Sequence, residues 1–221
     1  MSEVPALKYV VLGPADLDDV MTLLAKYYFT RESLSIIVGV TTPTKYDEEV
    51  LEQCLESGVS VGSREQTTGR LIGVCLSYII TSNSSWYDDE AACSTQAEVA
   101  IIRILNTAKS GVDLFQDPTV KRVLYMDASC VHPDYGRHGI CRKLMQICHD
   151  LGEEQGCQMA AGVMTSLYTQ KLSSDLGYKN CATLDLHTVK ESLLDLSRLN
   201  TTKYMVMTKY LSPKYKITSK I

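Results

Sequence analysis

A strand, a glycine-containing loop and a helix follow one another directly in residues 124–144, and this succession limits the folds open to the chain. Residues 123–131 are rich in apolar and β-branched side chains, which indicates a buried strand. Pro133 and Gly136 indicate a turn, and from Ile140 apolar residues recur at helical spacing. Such a loop leaves unpaired N–H groups at the helix start, where a phosphate or pyrophosphate can bind. The glycines alone are equally compatible with an ordinary strand-to-helix connection.

The rest of the chain alternates helices and strands and contains one hairpin. The patterns predict helices over residues 17–28, 47–56, 97–108 and 167–176, and strands over residues 8–12, 59–63, 71–80, 158–164, 178–186 and 204–211. The order is neither all parallel nor all antiparallel, so it predicts an α/β fold whose mixed sheet carries helices on both faces. Residues 81–95, which include Trp86, indicate a surface loop, and residues 189–199 a short helix or a lid.

Composition narrows the functional classes. The 221 residues fit one domain spanning 1–221, and 45% hydrophobic residues suffice for a core. The net charge of −4 argues against nucleic-acid and membrane surfaces and suits a cationic small molecule. The eight cysteines include no C-x-x-C pair, which indicates reduced core thiols and no metal site. With no signal or membrane segment, we expect a cytoplasmic monomer. We also expect three histidines at the surface, namely His132, His149 and His187.

The segment VHPDYGRHGICRKLM resembles the acetyl-CoA loop of the GNAT-type N-acetyltransferases, in which Gln/Arg-x-x-Gly-x-Gly/Ala follows a strand ending in Val-x-Pro-x-Tyr. Gly136 and Cys141 depart from that pattern. The resemblance implies a GNAT-type mixed, mostly antiparallel sheet flanked by helices on both faces. It also implies that acetyl-CoA, a cosubstrate, binds backbone groups of the central strand at Cys130 and Val131 and the six loop residues, Gly136, Arg137, His138, Gly139, Ile140 and Cys141.

Within that family the chain is most similar to the insect-type arylalkylamine (dopamine) N-acetyltransferases. YFTRESL resembles their Phe-Phe-Lys-Asp-Glu-Pro-Leu segment, which places Glu32 at the position of the proposed general base. TSLYT resembles a Ser-Ser-His-Tyr-Ser segment whose first and last serines are assigned catalytic roles, and Thr165 and Thr169 occupy those positions. Many members of the wider family carry a tyrosine that acts as general acid for the leaving thiolate. This chain has Ser173 at that position, so we do not assign the role to any residue here.

The resemblance implies acetyl transfer from acetyl-CoA to the primary amine of a small arylalkylamine such as dopamine, tyramine or a serotonin-like compound, by direct attack on the thioester. Three alternatives stay open: a polyamine or other aliphatic amine as substrate, a protein or histone substrate, and a binding module that has lost CoA. Two residues also have other interpretations. Glu32 by default is a solvated acid at a helix end, and Cys141 is either a packing residue or a nucleophile.

Overall fold

The computed structural model describes residues 6–191 and 194–211. Among them seven strands form one sheet in the order β1-β2-β3-β4-β5-β7-β6. The strands are β1 Leu7–Val11, β2 Val61–Glu65, β3 Leu71–Thr81, β4 Arg122–Val131, β5 Met159–Met164, β6 Lys179–Asp185 and β7 Lys203–Tyr210. Only β4 and β5 pair in parallel; every other neighbouring pair is antiparallel. The predicted mixed, mostly antiparallel sheet and the β2–β3 hairpin are therefore confirmed.

Helices cover both faces of this sheet. Their bounds are α1 Leu17–Tyr27, α2 Ser33–Val38, α3 Lys45–Glu56, α4 Gln96–Lys109, α5 Ile140–Glu154 and α6 Leu167–Asp175. On β3, Val74 and Leu76 pack with α1 and α3, whereas Cys75 between them packs with α5. This alternation is what a strand covered on both faces requires. None of the helices in the described part of the chain is long and apolar enough to cross a membrane.

A bulge interrupts the pairing of β3 with β4. Leu76 lies opposite Ala128 and Ser77 opposite Met126, so Asp127 has no partner on β3. The extra residue reverses the side-chain alternation, and Ala128 packs toward α1 and α3 although Met126 faces α5. The bulge therefore redirects one short stretch of the central strand.

Several local predictions were wrong. Residues 81–95 are largely exposed as expected of a surface loop, but Trp86 within them is 9% exposed and packs edge-to-face on Tyr125. His132 and His149 are buried, each in a hydrogen bond to a tyrosine, whereas His187 is exposed as expected. Residues 189–199 contain a 3-10 turn at Leu196–Arg198, and residues 192–193 lie outside the described part. All eight cysteines are free; six of them are buried, whereas Cys93 is half-buried and Cys181 is exposed.

Candidate active site

The central cavity lies where β4 and β5 separate. The two strands pair only at residues 123–125 and 159–161, after which each continues without the other. At the point of separation the backbones are close, because a Cβ added to Gly162 would lie 2.8 Å from the carbonyl oxygen of Met126. A cavity of about 440 Å³ fills the gap, bordered by residues 126–131 of β4 and by Val163, Met164 and Thr165. The free edge of β4 thus faces open space.

The loop before α5 presents backbone donors to the same cavity. Arg137 has a φ of 65° and Gly139 a φ of 75°, so both are in the left-handed region. No side chain caps α5, and the first intrahelical bond runs from the N–H of Lys143 to the Gly139 carbonyl at 3.0 Å. A Cβ added to Gly139 would meet nothing within 4 Å, so the space above it is open. Uncapped N–H groups at a helix start are suited to bind phosphate.

The predicted cofactor residues take different positions around this loop. Gly136, Arg137, Gly139, Ile140 and Cys141 line the cavity, as do Cys130 and Val131 on β4, whereas His138 is exposed and does not line it. Cys141 is buried, and burial raises the pKa of its thiol although a hydrogen bond with Ser129 opposes the shift. A thiol of raised pKa is a poor nucleophile. The packing interpretation of Cys141 is therefore favoured.

Glu32 stands at the start of α2, a short helix that the sequence patterns did not indicate. Its Oε2 accepts hydrogen bonds from the N–H of Ser35 at 2.8 Å and from the Ser35 hydroxyl at 3.2 Å. Its Oε1 accepts from the hydroxyls of Thr165 at 3.0 Å and Ser33 at 3.3 Å. The side chain is half-buried and lines the cavity. Glu32 is thus an oriented helix cap rather than a freely solvated acid.

Thr165 and Thr169 both line the cavity but serve different local roles. Thr165 lies at the end of β5 and spans to Glu32, while Ser166, the next residue, caps α6. Thr169 completes that capping box, with its hydroxyl 2.9 Å from the Ser166 hydroxyl and 3.3 Å from the Ser166 nitrogen. The cap of α6 therefore consists of Ser166 and Thr169, and Thr165 takes no part in it.

Ser173 occupies the position at which many members of the wider family carry the general-acid tyrosine. Ser173 is fully buried, and its hydroxyl donates to the sulfur of Met164 at 3.3 Å. Tyr168, five residues earlier, is 59% exposed and lines the cavity. Ser173 therefore has no contact with the cavity.

Arg31 lies across the free edge of β4. Its guanidinium donates to the Val131 carbonyl at 3.1 Å and to the Tyr27 carbonyl at 2.6 Å. The Tyr27 hydroxyl in turn lies 2.9 Å from His132 Nε2. Arg31 thus uses one of the acceptors that the open strand edge offers to a ligand.

Asp127 is the cavity residue that our interpretation of the sequence missed. It sits on the β4 bulge, and no other described residue gives it a hydrogen bond or an ion pair. The side chain is exposed to the open cavity, yet desolvation by the surrounding protein atoms, followed by the charge of Asp88, raises its pKa to about 7. Asp47 and Glu32 add to the shift, and Lys109 opposes it. The available signal was an aspartate inside the apolar run LYMDASCV.

Comparison with known proteins agrees with this geometry. The family model described as the acetyltransferase (GNAT) family matches residues 18–178. No curated protein sequence matches the chain. A solved arylalkylamine N-acetyltransferase 2 from Aedes aegypti has a TM-score of 0.85 at 18% identity, covering 93% of this chain and 99% of that chain. A mosquito arylalkylamine N-acetyltransferase like 5b has a TM-score of 0.83 at 21% identity, covering 93% and 100%.

A Drosophila melanogaster polyamine N-acetyltransferase that forms N-acetylagmatine also matches, with a TM-score of 0.82 at 18% identity over 93% of this chain and 100% of that chain. At these identities the solved structures show a shared fold and leave the substrate open. The family match covers most of the chain, including the strand, loop and helix that form the cavity. The chain belongs to the GNAT family of acetyltransferases.

Proposed function

We propose that this chain, folded as one domain over residues 1–221, transfers the acetyl group of acetyl-CoA to the primary amine of a small molecule. One observation carries the proposal: the hydrogen-bonded pair of Glu32 and Thr165 lines the same cavity as the uncapped start of α5. A proton acceptor and a helix start suited to bind phosphate thus line the same cavity. GNAT acetyltransferases use acetyl-CoA, which supplies both the phosphates and the acyl group.

The loop is proposed to hold the pyrophosphate through backbone N–H groups between Gly136 and Cys141. Arg137 and His138 are exposed and add positive charge or a hydrogen bond from outside. The pantetheine arm would run along the free edge of β4 at Cys130 and Val131. Its amide would there replace the guanidinium of Arg31 as donor to the Val131 carbonyl. Held in this way, the thioester lies between β4 and β5, so positioning supplies much of the acceleration.

Glu32 is proposed as the proton acceptor. An alkylamine is almost entirely protonated at neutral pH, and only the neutral amine has the lone pair that attacks the thioester carbonyl. Glu32 takes that proton directly or through a water molecule, and the neutral amine then forms the new C–N bond as the C–S bond breaks. The second nitrogen proton passes to the departing CoA thiolate, which leaves as the thiol. Thr165 holds Oε1 of Glu32 toward the cavity, and Thr169 contributes by fixing the start of α6.

Arylalkylamines such as dopamine, tyramine and serotonin-like amines are one proposed substrate class. The solved arylalkylamine N-acetyltransferases of the same fold support it, and so does Tyr28, whose ring lines the central cavity together with Glu32. Polyamines and other aliphatic amines are the other proposed class, which the solved polyamine N-acetyltransferase of the same fold supports. The net charge of −4 suits both classes, and because a basic protein surface is also cationic, the charge does not separate these amines from a protein substrate.

The test is a thiol-release assay with acetyl-CoA and a panel of arylalkylamines, polyamines and a histone peptide. We expect thiol release with at least one small amine and none above background with the peptide. Turnover of the peptide alone would favour the protein acetyltransferase alternative. Calorimetric binding of acetyl-CoA without turnover of any amine would favour a binding module, and absence of both would refute the proposed function.

A further inference from the structure

A second, smaller cavity opens beside the central one. Its volume is about 130 Å³, and it lies among α2, α3, α4 and β4. Five residues line both cavities and form the passage between them: Tyr28, Glu32, Asp127, Val163 and Thr165. A molecule whose amine reaches Glu32 can therefore extend its other end into the second cavity.

Negative charge dominates this second cavity. Five carboxylates border it, from Glu32, Asp47, Asp88, Glu98 and Asp127, and no lysine, arginine or histidine is among the described residues that line it. The nearby ammonium of Lys109 is fully buried and pairs with Asp88 at 2.6 Å, between the rings of Trp86 and Tyr125. That ion pair satisfies Asp88. The other four carboxylates form no ion pair with any described residue, although the charge of Lys109 acts on Asp127.

Glu98 leaves one buried oxygen without a partner. The side chain is 4% exposed, and its Oε2 accepts from the N–H groups of Ser94 at 2.7 Å and Thr95 at 2.6 Å. Its Oε1 has no hydrogen-bond donor. A side-chain hydrogen bond from Thr44 helps to lower the pKa of Glu98, but Thr44 has one hydroxyl hydrogen and its hydroxyl also donates to Asp47 at 2.8 Å, so it cannot fully serve both carboxylates. A buried carboxylate oxygen without a donor costs free energy that a bound cation would recover.

The arrangement of carboxylates and aromatic rings in the second cavity indicates which kind of cation would fit there. No group of three or more His, Cys, Asp or Glu side chains in the described residues converges tightly enough to hold a metal ion. Carboxylates spread around aromatic rings suit an organic cation instead, because an ammonium or guanidinium also binds the faces of such rings. A neutral phenol would donate one hydrogen bond but would leave the charges uncompensated. The side cavity thus favours a cationic group over a phenol.

We propose that the second cavity binds a second cationic group of the amine substrate, held by Glu98, Asp47 and Asp127, so that the preferred substrates are dications. The chemical class is an α,ω-diamine, a polyamine or a guanidinoalkylamine. This inference rests on the proposed function, because it places the reacting amine at Glu32. It goes further by naming the residues that select the substrate.

The experiment compares kcat/KM for α,ω-diamines of three to six carbons, n-alkylamines of the same lengths, and 2-phenylethylamine. We expect the best diamine to exceed its matched monoamine by at least about tenfold, as one charged hydrogen bond in a buried site provides. Glu98→Gln should reduce that advantage to about twofold or less while the monoamines change little. The amide oxygen preserves the helix cap, so folding is maintained.

Glu48→Gln is the matched control, since Glu48 lies next to Asp47 on α3 but is exposed and outside the cavity. It should leave the diamine advantage intact. Asp127→Asn is a second variant that should lower the advantage if Glu98→Gln proves unstable. Wild-type turnover of monoamines or 2-phenylethylamine with no diamine advantage would overturn the inference and leave the proposed function standing. Absence of thiol release with every amine would overturn both.

Discussion

Replacement of Glu32 by glutamine removes the proton acceptor at the centre of the site but keeps the side chain that caps α2. The carboxylate receives four hydrogen bonds, two from Ser35 and one each from Ser33 and Thr165. A glutamine oxygen placed toward the Ser35 N–H keeps the cap of α2. Its amide nitrogen then faces the Thr165 hydroxyl, which rotates to accept. The helix cap therefore survives, and we expect a loss of at most about 1 kcal/mol in unfolding free energy.

The chemical consequence is much larger, because an amide cannot accept the amine proton. Removal of a general base lowers kcat/KM by on the order of 10² to 10⁴, which corresponds to about 2.7 to 5.5 kcal/mol in activation free energy. The affinity for acetyl-CoA should hardly change, since the loop before α5 does not contact Glu32. An amine of lower pKa is already partly deprotonated in solution, so the decrease in kcat/KM with that substrate should be smaller.

The assay is thiol release at saturating acetyl-CoA with the best amine from the panel, together with calorimetry of CoA and thermal unfolding. Asp89→Asn is the matched control, because Asp89 is also an acid that caps a helical turn through a backbone N–H, at 2.9 Å, but is exposed and lies outside both cavities. It should keep the wild-type rate. Equal kcat/KM for wild type and Glu32→Gln would refute the assignment of Glu32 as base.

Three further predictions address the loop, the Thr165 contact and Asp127. Gly139→Val should weaken acetyl-CoA binding in calorimetry far more than Gly156→Val, which imposes the same left-handed strain outside the cavity, at a φ of 78°. Equal losses of affinity would mean that backbone strain, and not contact between the loop and the cofactor, causes the effect. Thr165→Val should lower kcat strongly with little change in Tm, whereas Ser166→Ala should lower Tm by removing a cap worth about 1 kcal/mol and should lower kcat much less; a larger loss of kcat in Ser166→Ala than in Thr165→Val would contradict the assignment. Because the folded state raises the pKa of Asp127 to about 7, it binds a proton that the unfolded chain has released, so stability should fall as pH rises from about 4 to 7. Asp127→Asn should flatten this part of the Tm-against-pH curve, and an unchanged curve would contradict the assignment.

The sheet and most helices were predictable because their signals are local. The spacing of apolar residues after Ile140 defines α5, and the Gly-ended turn at Gly69 defines the β2–β3 hairpin. The loop residues were identified through a motif that is contiguous in the sequence. The assignment of Glu32 and Thr165 to one site followed only from the family resemblance, and their hydrogen bond, across 133 positions of sequence, was not predicted.

The missed features depend on tertiary contacts. The helix α2 has six residues, too few for a periodic pattern, and it is held by the Glu32 cap and by packing of Leu34 and Ile37. The β4 bulge has no local marker other than Asp127 itself. In the sequence, Glu98 has the pattern of an ordinary capping-box residue of α4. Its unpartnered oxygen is apparent only in the folded structure, where α3 and β4 lie beside it.

A crystal structure of the protein with CoA tests the central claim most directly. The account predicts the pyrophosphate on the backbone N–H groups of residues 136–141, the pantetheine along β4 at Cys130 and Val131, and the sulfur in the cavity beside Thr165 and Glu32. The guanidinium of Arg31 should have released the Val131 carbonyl. A pyrophosphate bound elsewhere, or a sulfur outside the gap between β4 and β5, would contradict the account.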